Sequence, residues 1–303
     1  MSRASEQSRL WAPQHWPMWS GLGLFWLCAR FLTWSERRRL ARGIAWIIFH
    51  VVRLRRRVVL VNLRLCFPEK SEEQIRALAF AHYEALAYGL FETTAGWWEP
   101  VDQLPAHRVV GVEHLQRALA AGKGVVLLTA HFTTLEICGV YLTARIPVGC
   151  LYREPNNPIV AVPMRRHRER VASIAVHFDD LKGLIRALRS GHAIWYAPDQ
   201  GKRTPGSEIL HFFGVPAITN TATAKIAKMT GAAVVPYFAR REPDGSYTLV
   251  IHPALENFPT DDLSADAVRI NRLIEDNIRL APEQYFWVHK RFKARGEGYP
   301  EVY

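Results

Sequence analysis

From about residue 105 onward, short apolar runs alternate with amphipathic segments of roughly ten to fifteen residues. The runs "HRVVGV", "GVVLLTA", "PVGCLY", "IAVHF" and "AIWYAP" have the length of strands. Between them, "GVEHLQRALAAGKG", "TLEICGVYLTAR", "NPIVAVPMRRHRERVAS" and "DLKGLIRALRSGH" carry helical spacing. Such a chain folds as an α/β sheet covered by helices on both faces. "TNTATAKIAKMTGA" adds a helix with Gly231 at its C-cap, and "ADAVRINRLIEDNIRLAP" a last one. Between these two, "AVVPYFARREPDGSYTLVIHP" reads as two strands around a Pro-Asp-Gly turn, an antiparallel element. The expected sheet is therefore mixed and mostly parallel. With 303 residues, 49% hydrophobic and 22% charged, the chain has ample material for a core.

The first 60 residues have a different character. "WPMWSGLGLFWLCARFLTW" (16–34) is apolar, rich in Trp at both ends, and near the roughly 20 residues a membrane-spanning helix needs. No small-residue cleavage site follows it, which argues against a signal peptide. Arg37, Arg38, Arg39, Arg42, Arg53, Arg55, Arg56 and Arg57 all lie after it. The positive-inside rule then puts the rest of the chain in the cytoplasm. The apolar stretch 43–52, with arginines on both flanks, is too short to span and reads as an interfacial helix facing anionic headgroups. These features divide the chain into a membrane anchor with a basic interfacial helix (1–60) and a cytoplasmic domain (61–303). Next, "SEEQIRALAFAHYEALAYGLFETTAGWW" opens on a Ser71/Gln74 capping box and continues as an amphipathic helix.

The net charge of +11 and a pI of about 9.7 favour partners that carry phosphate or carboxylate. Basic and aromatic residues do not interleave as a nucleic-acid platform requires. The four cysteines form no CxxC and no zinc-ligand spacing, so they read as small buried hydrophobes. P-loop, GxSxG, HExxH and strand-linked GxGxxG patterns are all missing.

Three polar loops each follow a strand. The first is "HFTTLE", which places His131 at the end of a buried run and Glu136 five residues on. Residues five apart sit about 140° apart on a helix, so the two meet only if His131 lies in the turn before it. Thr133 and Glu136 also fit a T-x-x-E capping box, which leaves His131 unexplained. The carboxyl ends of strands are where open α/β sheets bind ligands. A histidine oriented by a carboxylate there suits a general base that activates a hydroxyl. The second loop, "YREPNNP", offers Arg153 as an anion or oxyanion contact. The third, "APDQGKRTPG", offers Asp199, Lys202 and Arg203. "RRHRER" (165–170) reads as the exposed face of a helix.

"HFTTLE" resembles the HX4(D/E) motif of glycerolipid-type acyltransferases. Together with "NLRLCFPE", "YREPNNP", "WYAPDQ", "MTGAAVVPYFARREPDG" and "APEQYFWVHKRFKARGEG", in that order, the chain is similar to the bacterial lipid A biosynthesis (late, or secondary) acyltransferases, and most to their lauroyl-transferring type. The resemblance implies a glycerolipid-acyltransferase-like fold at the bacterial inner membrane. It implies transfer of a fatty acyl chain from acyl carrier protein to a hydroxyl of a Kdo-bearing lipid A precursor, with no cofactor and no metal. It makes His131 the base, Glu136 its partner, and the loops of Arg153, Asp199 and Arg203 part of the active site. Two rivals are acyl transfer to another phospho- or glycolipid, and a non-catalytic protein that holds anionic lipid at the membrane.

Overall fold

The computed structural model describes residues 13–155, 157–201, 203–204, 206–296 and 298–303. Lys202 lies outside them. Seven strands form one sheet in the order β1-β9-β8-β2-β5-β3-β4. They are β1 (His107–Val110), β2 (Val125–Leu128), β3 (Val148–Tyr152), β4 (Ala175–His177), β5 (Ala193–Tyr196), β8 (Ala233–Arg241) and β9 (Tyr247–Ile251). Strands β8, β2, β5, β3 and β4 run parallel, each pairing with its neighbour in that sense. Only the β8–β9 pair is antiparallel, closed by the turn through Asp244 and Gly245, whose φ of 89° suits glycine. The mixed, mostly parallel α/β sheet is thus as expected.

Period-2 burial builds two cores. Val126, Leu128, Ile194, Tyr196 and Val234 face one side of the sheet, and Val125, Leu127, Ala193 and Val235 the other. Helices α5 (Val112–Ala120) and α6 (Leu135–Thr143) cover the second face. On the first face lie α2 (Trp34–Trp46), α3 (Arg56–Cys66), α8 (Leu181–Arg189), α9 (Ala222–Thr230) and α10 (Leu263–Leu280). The long helix α4 (Glu72–Trp98) feeds both, with Phe91 in one core and Ala95 in the other. It opens on the expected Ser71/Gln74 capping box.

The described residues do not support the expected N-terminal span. Helix α1 (Trp16–Phe31) has 16 residues, about 24 Å at 1.5 Å per residue, against a hydrocarbon core of about 30 Å. No helix among the described residues is long and apolar enough to cross a membrane. The cause is local. Thr33 caps a new helix, accepting from the Glu36 amide while Glu36 accepts from the Thr33 amide at 2.7 Å. That capping box breaks the apolar run before it reaches spanning length. Part of α1 then packs on the protein itself, with the Phe25 ring 5.0 Å from that of Phe91.

A second departure is the hairpin of β6 (Ser207–Phe212) and β7 (Val215–Asn220), which strand periodicity alone does not mark. Its two-residue turn is Phe213–Gly214, both at positive φ (52° and 72°). Asn-Gly or Asp-Gly is the usual signature there, and Phe conceals it.

Candidate active site

The site is assembled from three segments at the carboxyl edge of the sheet. β2 runs on into His131, and β5, its direct neighbour, runs on into Asp199. The third is the segment after α10. Its Gln284 carbonyl accepts from the Thr133 amide at 2.8 Å, and its Phe286 amide donates to the His131 carbonyl at 3.0 Å. This antiparallel patch fixes the His131 turn from below.

The side chain on His131 is Asp199, not Glu136. His131 Nδ1 lies 2.6 Å from Asp199 Oδ1, and the His131 amide donates to Asp199 Oδ2 at 3.0 Å. Asp199, buried to 2% exposure, also accepts from the Tyr285 hydroxyl. Three donors thus converge on one carboxylate. Burial alone would raise its pKa, but the charge and hydrogen bonds of His131 and the Tyr285 hydroxyl hold it below the usual value. On His131, burial works against the charged form, but the Asp199 carboxylate wins and raises the imidazole above its ordinary value. With Nδ1–H directed at Asp199, Nε2 carries the lone pair. The His131 side chain is about one-third exposed. The Trp195 ring stands edge-on to it, 6.4 Å between centroids.

Glu136 sits in the first turn of α6, and its partners are other than His131. It accepts from Trp97 Nε1 at 2.8 Å and pairs with Arg168 of α7 (Pro158–Val171). The Thr133/Glu136 capping box is therefore absent: among the described residues α6 has no side-chain cap, and the buried Thr133 hydroxyl has no partner. The α7 run "RRHRER" is exposed at Arg166, Glu169 and Arg170, but its other side chains turn inward. Arg168 takes Glu136, Arg170 donates to the Trp97 carbonyl at 2.5 Å, and His167 is buried.

Arg153 follows β3 on the same edge of the sheet, two strands from β2. Its guanidinium lies over the Phe178 ring, 5.6 Å from the centroid, and 3.9 Å from Asp179, exposed at both ends of that pair. Arg203 is exposed beyond Asp199. Asp199, expected among the substrate-binding residues, bonds the histidine at its ring and its amide. Sequence spacing missed three contributors: Tyr285, Arg168 and Trp97. The first lies in "APEQYFWVHKRFK", whose density of polar and aromatic residues was the available signal. Among the described residues no group of His, Cys, Asp and Glu is arranged to hold a metal ion.

A glycine makes the Asp199 loop possible. A Cβ on Gly201 would meet Arg291 Nη1 and the Ile218 carbonyl oxygen, each at 2.7 Å. Arg291 is itself buried, bonded to the Ile218 carbonyl (2.5 Å) and Thr219 Oγ1 (3.1 Å). The loop is thereby pressed onto the β7 backbone.

Residues 3–294 match the family described as bacterial lipid A biosynthesis acyltransferase. The chain is 36% identical over 294 residues to the lipid A biosynthesis lauroyltransferase of Escherichia coli K12, covering 96% of each. It is 33% identical to the palmitoleoyltransferase of that strain, covering 96% of this chain and 95% of the other. The myristoyltransferase is more distant, 27% identical over 82% of this chain and 78% of the relative. A solved 1-acyl-sn-glycerophosphate acyltransferase from Thermotoga maritima aligns with a TM-score of 0.40 and 14% identity, over 81% of this chain and 97% of the other.

Proposed function

The chain belongs to the bacterial lipid A biosynthesis acyltransferase family, and from that premise we propose a mechanism for its acyl transfer. The donor is an acyl thioester on acyl carrier protein, and the acceptor a hydroxyl of a Kdo-bearing lipid A precursor. His131 Nε2 takes the hydroxyl proton as the oxygen attacks the thioester carbonyl. Asp199 holds the ring in the productive tautomer and stabilises the imidazolium, as the carboxylate does in a Ser-His-Asp triad. Here the acceptor hydroxyl stands where the triad's serine would. The tetrahedral intermediate then expels the carrier thiolate, and the imidazolium returns its proton to that sulfur. An ester and a free thiol result.

The observation that carries this reading is the doubly held His131, with its other nitrogen at the strand edge. Glu136, bound by Trp97 and Arg168, positions the α6 turn that carries the histidine. The loops of Arg153, Lys202 and Arg203 bind the substrates. Residues up to about 60 form the membrane-facing part and 61–303 the catalytic part. In place of a span, the enzyme rests on the inner membrane through exposed apolar side chains: Leu24, Trp26 and Phe31 of α1, and Trp46, Ile47 and Val51 beyond them.

The test is mass spectrometry of the acceptor lipid after incubation with acyl-carrier protein. Wild type should add one acyl mass to a Kdo-bearing precursor, and His131→Ala should add none while keeping the same thermal unfolding. Full transfer by His131→Ala would sink the mechanism. Transfer only to a glycerophospholipid would redirect the acceptor assignment.

A further inference from the structure

One large cleft lies outside the His131 site. It occupies about 730 Å³ between α2, α4, the end of β8 and the segment after α10. Ser35, Arg38, Arg39 and Arg42 of α2 line one wall. Their spacing (i, i+3, i+4, i+7) places all four on a single helix face. Arg240 and Arg241 line the opposite wall, and Glu84 and Tyr88 lie between.

The charges are not all spent on one another. Arg42 pairs with Glu84 at 3.0 Å, and Arg240 with Glu242 at 3.1 Å. Arg241 is bonded to buried Glu92 at 2.6 Å, and its buried Nη2 has no hydrogen-bond partner among the described residues. Arg38 gives one N–H to the Pro243 carbonyl at 3.1 Å and keeps the rest of its fork. Arg39 is exposed, and no carboxylate pairs with it closely enough to count as a salt bridge among the described residues. A concave site with two guanidinium forks unspent is built for a compact anion, which accepts bidentate bonds.

The rim is apolar. Leu280 lines the cleft and is 65% exposed, and Leu40, on α2 between the cleft arginines, is exposed as well. Arginines beside exposed apolar side chains suit an amphiphile whose anionic head enters the cleft while its chains stay outside. An acidic helix of a protein partner fits less well. Such a helix is about 10 Å across and convex, whereas a phosphate is compact enough to enter a concavity. The cleft also adjoins the active site: Gln284 lines it, and the same residue's carbonyl holds the Thr133 amide.

We propose that this arginine cleft binds the phosphate-bearing headgroup of a membrane amphiphile, and so seats the acceptor lipid beside His131. It rests on the acyl-transfer reading for its consequence, but not for its binding test. The direct experiment measures binding of the full chain to detergent micelles holding a phosphorylated glycolipid, or its dephosphorylated form, with inorganic phosphate as a separate arm. Wild type should prefer the phosphorylated lipid. Arg38→Glu with Arg39→Glu, both on an exposed helix face, should lose about tenfold or more of that preference while unfolding at the same temperature. Inorganic phosphate should compete only weakly. In turnover, the variant's acceptor KM should rise and the KM for acyl-carrier protein should not. Equal binding by wild type and variant would overturn the proposal. A rise in the carrier KM alone would overturn it in favour of a protein-docking surface. Tight competition by free phosphate would assign the cleft to a soluble anion instead. If no acyl transfer occurs, the micelle measurement still decides the cleft by itself.

Discussion

Asp199 holds His131 at two points, the ring Nδ1 at 2.6 Å and the backbone amide at 3.0 Å. One carboxylate thereby fixes both the position of the turn and the tautomer of the base. Both bonds need a strand neighbour, since β2 and β5 pair directly.

Asp199→Asn tests this relationship. The raised pKa of His131 means the neutral, proton-accepting form accumulates only as pH climbs above the ordinary imidazole range. Activity should therefore rise with pH along a limb displaced upward. The amide removes the negative charge, so the limb should move to lower pH while the plateau falls by roughly 10²–10⁴-fold. A pH–rate profile of acyl transfer reads both. An unmoved limb would show that Asp199 does not govern the titrating base.

What the sequence made legible, and what it hid, divides by range. Strand and helix order after residue 105 follows from local periodicity, except at the β6–β7 hairpin. The partner of His131 was not local. Glu136 is five residues away and fits by spacing, while Asp199 is 68 residues away and arrives only because β5 sits beside β2. Strand order is a property of the whole sheet, and no window of residues contains it. The N-terminus failed for the opposite reason. Summed hydropathy over 16–34 suggests one span, but two polar side chains, Thr33 and Glu36, end one helix and begin the next.

Gly89 of α4 is a close-approach glycine. A Cβ there would lie 2.9 Å from the Thr133 carbonyl oxygen, a backbone atom in the turn that carries His131. Gly89→Ala gains about 1 kcal/mol of helix propensity and must displace that turn. We expect kcat to fall roughly tenfold or more, because small misplacements of catalytic groups are costly, with the fold retained. Steady-state kinetics beside circular dichroism decides it; unchanged kcat would mean the turn yields freely.

His82 should make the protein acid-sensitive. It is fully buried in α4, its Nδ1 lies 3.0 Å from the Glu283 carbonyl, and its Nε2 has no partner among the described residues. Burial lowers its pKa to about 4, from an unfolded value near 6.5. Between those values the unfolded state binds the proton and the folded state does not. The contribution is therefore intact above about 6.5 and is lost as pH falls toward 4, by about 3 kcal/mol on the linkage relation. His82→Leu should flatten the fall of Tm over that window in calorimetry. His167 and His289, also lowered to about 4 by burial, should leave a residual slope. A variant with the full wild-type slope would remove His82 from the account.

The Glu136–Arg168 pair separates a positioning carboxylate from a catalytic one. Both side chains are 15% exposed, and Trp97 supplies Glu136 with a further bond. Removing Arg168 leaves a largely buried carboxylate with only the indole N–H. Breaking such a pair costs about 3–5 kcal/mol when fully buried, and less here because both groups still touch water. Arg168→Met should therefore lower Tm by several degrees and reduce kcat, through the α6 turn. Glu136→Gln keeps the Trp97 bond and a neutral contact to Arg168, and should lose less of both. Since Glu136 bonds neither His131 nor Asp199, neither variant should move the pH–rate limb that Asp199→Asn moves. A Glu136→Gln enzyme with native Tm and a displaced limb would contradict this assignment, and would return Glu136 to the proton-transfer machinery.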